Sequence, residues 1–568
     1  MAFVRGSELF TVDVASRRET QLTRGAPEGV TRGQSDFNGQ EEFDEPSGYW
    51  ISPTCDKIAY LEVDEREVGT HPVLGYRGGK VDLMMQKYPG TGAKNPKVRA
   101  FILDVKTKKT TWIKWPSADE KYFGRFRFSA DGKALYAQTL TRDQKRLSLA
   151  RIDPVTGDAK EIIVETSPTW IDFADMRLFE KSPKLLWTRD IGGHIHLELR
   201  DAVTGSSISE LTSGEWDVEG INAVDEDHNR ALVTATKDGP LERQLYAVPL
   251  AKGGEIRRLT QERGVHSAIV EAEGRGLVDV HSALDRLPKA VIHGADGAAI
   301  ADLPAPVDPE LETLKLRTPE IIKARGPSGD TLYGALLKPR TIDPGRRYPV
   351  VVMIYGGPGF QTVLDAWQPY LAWNHLADRG VVVFQLDNRG TPGRGVAFEH
   401  ALYDHIDDIE IQDQIAGLDE ISKLPFVDGT RVGIHGGSYG GSMTLVALLK
   451  APDRFKVGVS SSPVTDSRLY DSGYQERYMG TPEKHPKAYE TAELTKFAPN
   501  LRGKLLLTHG LMDENVHFQN TAQMIDALIE AKKPFDLLVL PGERHGTRKP
   551  ATRQYVMQRV VDYLTENL

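Results

Sequence analysis

The first 310 residues alternate apolar and polar positions in short runs, which is the pattern of half-buried β-strands. Turns that carry Asp-Gly, Thr-Gly or Gly-Gly separate these runs. The clearest unit, residues 123–163, contains four strands, and similar units begin near Trp170, Val218 and Val265. Four strands that recur roughly every 45 to 50 residues are typical of a β-propeller blade. A β-sandwich explains the strands but not the period, so we predict a propeller.

This propeller is predicted to be incomplete. Only about five blades of four strands fit before residue 310 at the usual blade length. The strands of residues 2–22 resemble the end of an interrupted blade. We therefore expect a β-propeller domain over residues 1–312.

The pattern changes after Glu310, where apolar runs suited to buried strands alternate with helical segments. The apolar runs begin at Tyr348, Gly380, Arg431, Lys456, Lys504 and Phe535. The helical segments include residues 410–422, 520–531 and 551–564. Strands and helices in alternation indicate a mostly parallel sheet covered on both faces. We predict an α/β domain over residues 313–568.

The strongest chemical motif is Gly-x-Ser-x-Gly around Ser438. It follows the apolar strand at 432–434 and precedes a helix at 443–449, which is the context of a nucleophile elbow. Asp513 and His545 follow the next strands, where the carboxyl ends of parallel strands form sites. The order Ser, Asp, His is that of α/β-hydrolases, in which the histidine activates the serine and the carboxylate orients the histidine.

Three segments together resemble the prolyl oligopeptidase family of serine peptidases, and within it the dipeptidyl peptidase IV subfamily. They are residues 437–441, 509–519 and 543–546. The resemblance covers nearly the whole chain and implies Ser438, Asp513 and His545 as the catalytic residues. It also implies an oxyanion site made by the Tyr355 hydroxyl, from the segment 349–359, and the backbone N–H of Tyr439.

The resemblance assigns the adjacent carboxylates Glu41 and Glu42 to the free N-terminal ammonium of a peptide. Two carboxylates that face a cavity neutralise one cation, and without it each raises the pKa of the other. A solvated acidic turn is the plain alternative, because Asp44 and Glu45 continue the run. The register of the pair against the family is uncertain by one residue.

The pocket for the residue before the cleaved bond would come from residues 463–478 and the segment after Asp513. The resemblance assigns to it Tyr439 and the residues Val464, Tyr470, Tyr474, Asn515 and Val516. Ser467 and Gly437 stand where the family usually has tryptophans, and the first blades, with a substrate-binding arginine, have no counterpart. Losing one apolar wall at Ser467 is worth about 1–3 kcal/mol of selectivity for proline.

Composition and charge exclude several classes of protein. The net charge is −9, which gives no basic field for nucleic acid. No apolar run can span a bilayer, and no signal peptide is visible. The single cysteine, Cys55, excludes an intrachain disulfide. If the N-terminus is genuine the protein is expected in the cytoplasm; if an upstream signal has been lost, it would be periplasmic or secreted.

No metal or organic cofactor is predicted. His194 and His196 point the same way on a strand, but two ligands without a third are more often surface histidines. The resemblance extends to a homodimer through the hydrolase domain and its last helix, for which the sequence itself gives no support.

We therefore predict a serine exopeptidase that releases N-terminal dipeptides, with proline or alanine preferred second. One alternative keeps the three catalytic residues in a broader oligopeptidase, acyl-aminoacyl peptidase or esterase. A non-enzymatic alternative is a propeller scaffold whose exposed strand edges bind another chain.

Overall fold

The computed structural model describes residues 1–77, 79–116, 120–271, 274–304, 306 and 308–568. Six small antiparallel sheets precede one large mostly parallel sheet, which confirms the predicted architecture of a β-propeller followed by an α/β-hydrolase domain. Among the helices of the described residues, none combines the length and the apolar character needed to cross a membrane.

The first two propeller sheets contain three and five strands, and a separate hairpin projects from the second. Their strands are β1 (Ala2–Arg5), β2 (Glu8–Val12), β3 (Glu19–Gln21), β4 (Val30–Arg32), β5 (Tyr49–Ile51), β6 (Lys57–Asp64), β7 (Thr70–Arg77), β8 (Lys80–Lys87), β9 (Lys97–Asp104) and β10 (Thr110–Trp112). β7 and β8 form the hairpin, and the helix α1 (Phe37–Glu41) lies between β4 and β5.

The next four sheets are four-stranded meanders. Their strands are β11 (Lys121–Phe128), β12 (Leu135–Thr141), β13 (Arg146–Ile152), β14 (Ala159–Thr166), β15 (Met176–Leu178), β16 (Lys184–Ile191), β17 (His194–Asp201), β18 (Ser207–Glu210), β19 (Val218–Asp225), β20 (Arg230–Ala235), β21 (Gln244–Pro249), β22 (Arg257–Arg258), β23 (Val265–Val270), β24 (Gly276–Ala283), β25 (Arg286–Gly294) and β26 (Ala299–Leu303). Units starting near residues 121, 176, 218 and 265 match the predicted period.

One propeller strand is interrupted. β4 and β5 pair with different parts of the same strand, β6. The chain leaves the sheet between them and forms α1, whose first turn is capped by the Asp36 side chain accepting from the Gly39 N–H. α1 ends at Glu41 and Glu42, so the excursion places both carboxylates outside the sheet.

The large sheet has the order β27-β28-β30-β29-β31-β32-β33-β34, and all pairs after β30 are parallel. Its strands are β27 (Glu320–Arg325), β28 (Thr331–Leu337), β29 (Tyr348–Met353), β30 (Val382–Asp387), β31 (Val427–Gly437), β32 (Val457–Ser461), β33 (Lys504–Gly510) and β34 (Asp536–Leu540). The proposed domain boundary after residue 312 falls inside α2 (Pro309–Leu314), between β26 and β27.

Helices cover both faces of this sheet. They are α3 (Leu371–Asp378), α4 (Val396–Glu399), α5 (Asp408–Ser422), α6 (Tyr439–Lys450), α7 (Ser472–Met479), α8 (Pro486–Thr491), α9 (Gln519–Glu530) and α10 (Pro550–Asn567), with 3₁₀ turns at His400–Leu402, Ser467–Leu469 and Leu494–Asn500. Apolar residues of α5, α6 and α9 pack with one face, and those of α3 and α10 with the other.

The propeller holds α7 of the hydrolase domain through buried polar contacts. Glu476 on α7 is fully buried and accepts from Arg142 Nε at 2.8 Å and Nη2 at 2.7 Å. Asn38 of α1 donates to Ser472 Oγ at 3.0 Å, and Gln144 donates to the Gly473 carbonyl at 2.6 Å. These contacts fix α7 against the propeller.

Replacing Arg142 with methionine should destabilise this contact. The change leaves the Glu476 carboxylate buried without its cation, and breaking such a pair costs about 3–5 kcal/mol. We expect a lower denaturant midpoint for the first unfolding transition. Arg142→Lys keeps the charge but loses the paired hydrogen bonds, so it should show a smaller loss. Equal midpoints for wild type and Arg142→Met would contradict this role.

Candidate active site

Ser438 lies in a strained turn between β31 and α6. Its backbone has φ 58° and ψ −122°, which is unusual for a residue other than glycine. The neighbouring glycines are required because a Cβ on Gly436 would lie 2.3 Å from the Ile354 carbonyl oxygen, and one on Gly440 would lie 2.2 Å from it. The turn therefore has the geometry of a nucleophile elbow.

The structure brings the three predicted catalytic residues together. His545 Nε2 lies 3.0 Å from Ser438 Oγ, and His545 Nδ1 lies 2.9 Å from Asp513 Oδ2. Asp513 follows β33 and His545 follows β34, so the three side chains meet at the carboxyl edge of the parallel sheet. This chain of contacts lets the histidine accept the serine proton while the carboxylate holds its other nitrogen.

Asp513 is buried, and its surroundings keep it ionised. Burial alone would raise its pKa, but hydrogen bonds from His509 and His545 lower the pKa to about 2. Its other oxygen accepts from the backbone N–H groups of Asn515, at 3.1 Å, and Val516, at 2.8 Å. Burial would lower the pKa of His545, whereas its hydrogen bond to Asp513 raises that pKa above the ordinary value.

His509 is a site residue that the sequence reasoning assigned no role. Its Nε2 lies 3.1 Å from Asp513 Oδ2 and 2.9 Å from the Val516 carbonyl oxygen, while Nδ1 lies 2.7 Å from Thr521 Oγ1. The ring therefore braces the loop that carries Asp513. A histidine four residues before the aspartate was the available signal.

Tyr355 and Tyr439 both line the cavity next to Ser438. Burial, with a smaller effect of the Glu42 charge, raises the pKa of Tyr355 to about 12, so its hydroxyl remains a proton donor. Tyr439 is the first residue of α6, where a backbone N–H has no intrahelical acceptor. Its hydroxyl is engaged elsewhere and donates to Glu410 Oε1 at 2.6 Å.

A cavity that opens to solvent lies beside Ser438. Five of the residues predicted for the pocket or its altered wall line it, namely Tyr439, Val464, Ser467, Tyr470 and Tyr474. The lining residues that the sequence did not reveal are Ile406, Asp407, Ser442, Gln475 and Ala492. Ile406, Asp407 and Ala492 come from other segments of the chain, so no local pattern indicated them, whereas Ser442 and Gln475 lie close in sequence to Ser438 and Tyr474.

Two residues predicted for the pocket, Asn515 and Val516, are not among the residues that line this cavity. Asn515 accepts from the Tyr470 hydroxyl at 3.0 Å. Val516 is fully buried, does not line the cavity, and contributes its backbone to the bracing of Asp513. Gly437, the last residue of β31, leaves the space beside Ser461 without a side chain.

The two glutamates line a second cavity, of about 560 Å³, at the face of the propeller. Asn515 Nδ2 donates to Glu41 Oε1, so the loop after Asp513 touches both the propeller and the pocket tyrosine Tyr470. Burial raises the pKa of Glu41, and burial with the Asp471 charge raises that of Glu42. Both carboxylates would be stabilised by a cation.

Arg477 is a second residue without a predicted role. It lines the glutamate cavity from α7, donates from Nε to Gln144 Oε1 at 2.7 Å, and lies 3.2 Å from Asp172. Its guanidinium lies over the Phe43 ring. Arg477 follows Tyr474 by three residues, so both lie on one side of the helix.

The histidines considered for metal binding have other partners. His196 Nδ1 lies 3.0 Å from Thr212 Oγ1 and its Nε2 lies 2.9 Å from the Gly214 carbonyl oxygen. His194 Nδ1 lies 3.2 Å from Asp217. Their ring contacts resemble those of structural histidines.

A β-propeller ahead of an α/β-hydrolase sheet, with Ser, His and Asp meeting at the sheet edge, defines the class of propeller-bearing serine hydrolases. Residues 1–287 match the model of the dipeptidyl peptidase IV N-terminal region, and residues 367–568 match that of the prolyl oligopeptidase family. The chain belongs to the prolyl oligopeptidase family.

Named relatives agree with this assignment. Human and mouse dipeptidyl peptidase 8 are 32% and 31% identical, and each alignment covers 100% of this chain and 74% of the relative. The crystal structure of Porphyromonas gingivalis dipeptidyl peptidase 4 superposes with a TM-score of 0.94 at 28% identity. That match covers 100% of this chain and 81% of the other.

The pH dependence of Ser438 reactivity should report the His545–Asp513 contact. His545 must be neutral to accept a proton, so its raised pKa places the acid limb of reactivity above the ordinary histidine value of 6.5. In Asp513→Asn the anion is lost and burial dominates, so the limb should move to lower pH while the plateau rate falls about 10⁴-fold. The rate of labelling by a fluorophosphonate measures both.

The matched control is Asp526→Asn, which changes an exposed aspartate of α9. Its pH profile should overlay that of the wild type. An Asp513→Asn profile with an unmoved acid limb would contradict the role assigned to Asp513.

Proposed function

We propose that this protein is a serine dipeptidyl peptidase, which releases N-terminal dipeptides with proline or alanine in the second position. The observation that carries the proposal is the position of Asn515. It hydrogen-bonds to Glu41 of the propeller and to Tyr470 of the pocket, and its own backbone N–H donates to Asp513. An amine-binding pair, a side-chain pocket and a nucleophile therefore adjoin one loop.

The reaction follows from the contacts of Ser438. His545 Nε2 takes the Ser438 proton as Oγ attacks the carbonyl carbon, and then donates that proton to the leaving amine. The dipeptide remains as an ester on Ser438 until water, deprotonated by the same nitrogen, hydrolyses it. Asp513 keeps its charge and stabilises the imidazolium in both steps.

The oxyanion of each tetrahedral intermediate would accept hydrogen bonds from Tyr355 and Tyr439. The Tyr355 hydroxyl remains protonated at neutral pH, and the Tyr439 N–H begins a helix whose dipole favours negative charge. Removing one such donor typically costs about 3–4 kcal/mol of transition-state stabilisation.

Glu41 and Glu42 would bind the free N-terminal ammonium. Burial raises the pKa of both carboxyls, and the Asp471 charge adds to the rise at Glu42, so a bound cation would stabilise their ionised forms. An ammonium group supplies the missing charge and hydrogen-bond donors. Because the pair lies at a fixed distance from Ser438, it would set the cleaved bond two residues from the amine.

The pocket supports a small or cyclic side chain in the second position. Tyr470, Tyr474 and Val464 supply apolar surface for a proline ring. Ser467 lines the same pocket with a small side chain. We therefore expect alanine to be accepted together with proline. A broader oligopeptidase or acyl-aminoacyl peptidase would share Ser438 but would not require the glutamates.

Substrates with free and blocked amines should separate these functions. The free Gly-Pro and Ala-Ala amides should be cleaved, and N-acetyl-Gly-Pro amide should not. Glu41→Gln or Glu42→Gln should lower kcat/KM for the free Gly-Pro amide roughly 30-fold or more, because truncating a buried charge pair costs about 2–5 kcal/mol. Release of the chromogenic amine measures each rate.

Glu28→Gln is the matched control, since Glu28 is an exposed propeller glutamate. Ser438→Ala should abolish all cleavage. Preference for the acetylated amide would support the broader oligopeptidase or acyl-aminoacyl peptidase instead. If the wild type cleaves none of these substrates, the proposed peptidase activity is refuted.

The hydrolase domain also offers a surface for a homodimer. Tyr555 and Met557 on α10 are 55% and 37% exposed, and Leu537 on the edge strand β34 is 42% exposed. Exposed large apolar side chains and an unpaired strand edge are both features of interfaces between subunits. We propose that two copies associate through this surface.

Sedimentation should detect twice the mass of the chain for the wild type. Tyr555→Asp places a charge in the interface and should shift the protein toward the monomer. Val155→Asp changes a still more exposed apolar residue, in a propeller turn, and should leave the mass unchanged. A monomeric wild type would overturn the dimer while leaving the peptidase intact.

A further inference from the structure

Four ionisable side chains meet on one face of the last propeller sheet. Asp279 and His281 lie two residues apart on β24, as do Leu277 and Asp279, so all three share a face. His266 on β23 pairs with His281, and His293 on β25 pairs with Leu277. Leu277 packs against the preceding sheet, so the cluster faces the interior between two blades.

The side chains converge on the Asp279 carboxylate. Its Oδ2 lies 2.8 Å from His266 Nδ1, 3.0 Å from His281 Nδ1 and 3.8 Å from His293 Nε2. Asp279 is 1% exposed, and His266 and His281 are each 4% exposed. Donors bound to one tetrahedral zinc ion are separated by roughly 3.3 Å, given bonds of about 2.0–2.2 Å. The cluster has nearly that spacing.

Hydrogen bonds behind two of the rings fix where their protons lie. His266 Nε2 lies 2.9 Å from the Glu262 carbonyl oxygen, and His293 Nδ1 lies 3.0 Å from the Gly297 carbonyl oxygen. A carbonyl oxygen only accepts, so each of these nitrogens carries the ring's proton. In the neutral rings, His266 Nδ1 and His293 Nε2 then direct lone pairs toward Asp279. This is the arrangement in which backbone carbonyls orient metal-binding histidines.

Two buried atoms of the cluster have no hydrogen-bond partner among the described residues. They are Asp279 Oδ1 and His293 Nε2. Buried polar atoms without partners are rare and costly in native proteins. Arg286 lies near His281 but pairs with Glu262, so it does not compensate these atoms.

The contact between His228 and Asp225 on the preceding sheet lacks this feature. His228 lies 2.9 Å from Asp225, which also accepts from Arg230 Nε at 2.9 Å, so that carboxylate already has a cation. No arginine or lysine in the described residues makes an ion pair of this kind with Asp279.

We propose that His266, Asp279, His281 and His293 bind one divalent transition-metal ion of the zinc class. Two or three imidazole nitrogens and one carboxylate oxygen form a ligand set that zinc prefers. The ion would join strands β23, β24 and β25 and supply the charge that the carboxylate lacks. The site lies in the propeller and takes no part in the chemistry at Ser438.

The test uses the full-length chain without a histidine tag, stripped of metal by a chelator and dialysed. Titration with Co²⁺ should bind one equivalent and give the strong visible absorption of a four-coordinate ion, and Zn²⁺ should displace it. Asp279→Asn preserves the shape of the side chain but removes the anion. We expect its affinity for Zn²⁺ to fall at least about a hundredfold. Changing a residue that only hydrogen-bonds to a metal ligand costs less than this.

Asp225→Asn is the matched control, because Asp225 is a buried propeller aspartate beside a histidine. It should bind one equivalent as the wild type does. Labelling of Ser438 by a fluorophosphonate reports whether each variant is folded, and His293→Gln, at a less buried position, replaces Asp279→Asn if that variant does not fold. Equal affinity in wild type and Asp279→Asn, or a wild type that binds no Co²⁺, would overturn the site.

Discussion

The separation between the paired carboxylates Glu41 and Glu42 and the nucleophile Ser438 is the constraint on which the proposed site depends, and a short loop sets it. Residues 513–516 carry the carboxylate that hydrogen-bonds to His545, and Asn515 in the same loop touches Glu41 across the domain interface. Any shift of the propeller against the hydrolase domain would therefore disturb the triad and the paired glutamates together. The proposed release of dipeptides requires this coupling.

The contacts that hold α7 against the propeller serve the same constraint. Tyr470 and Tyr474 line the pocket, while Glu476 and Arg477 on the same segment point to the propeller. One short segment, residues 470–477, thus supplies both pocket residues and interdomain contacts. Because Glu476 is fully buried, its pairing with Arg142 keeps a charge compensated at the interface, and the helix keeps a single position.

Burial has opposite outcomes for the carboxyls around the site, depending on hydrogen bonds. Burial raises the pKa of Asp471 to about 7 and that of Glu410 to about 8. Asp513 is equally buried, yet two imidazoles and two backbone N–H groups lower its pKa to about 2. The site therefore keeps Asp513 charged at neutral pH, whereas the buried carboxyls of Asp471 and Glu410 are readily protonated. Only the charged one contacts the histidine that must become an imidazolium.

The sequence predicted the features that depend on local pattern, and missed those that depend on register between strands. The turn at Ser438 follows from its strand, glycines and helix, and the positions of Asp513 and His545 follow from the carboxyl ends of parallel strands. The glutamates rested on family resemblance, since the interruption of one strand by α1 has no local signature. The cluster around Asp279 was also missed, because residues 266, 279, 281 and 293 share a face only once three strands are aligned. Likewise His194 and His196 attracted attention as neighbours on one strand, although their ring nitrogens have partners that no spacing reveals. Spacing along one strand tells which side chains share a face, whereas the contacts between strands decide which of them have unsatisfied atoms left to bind a ligand.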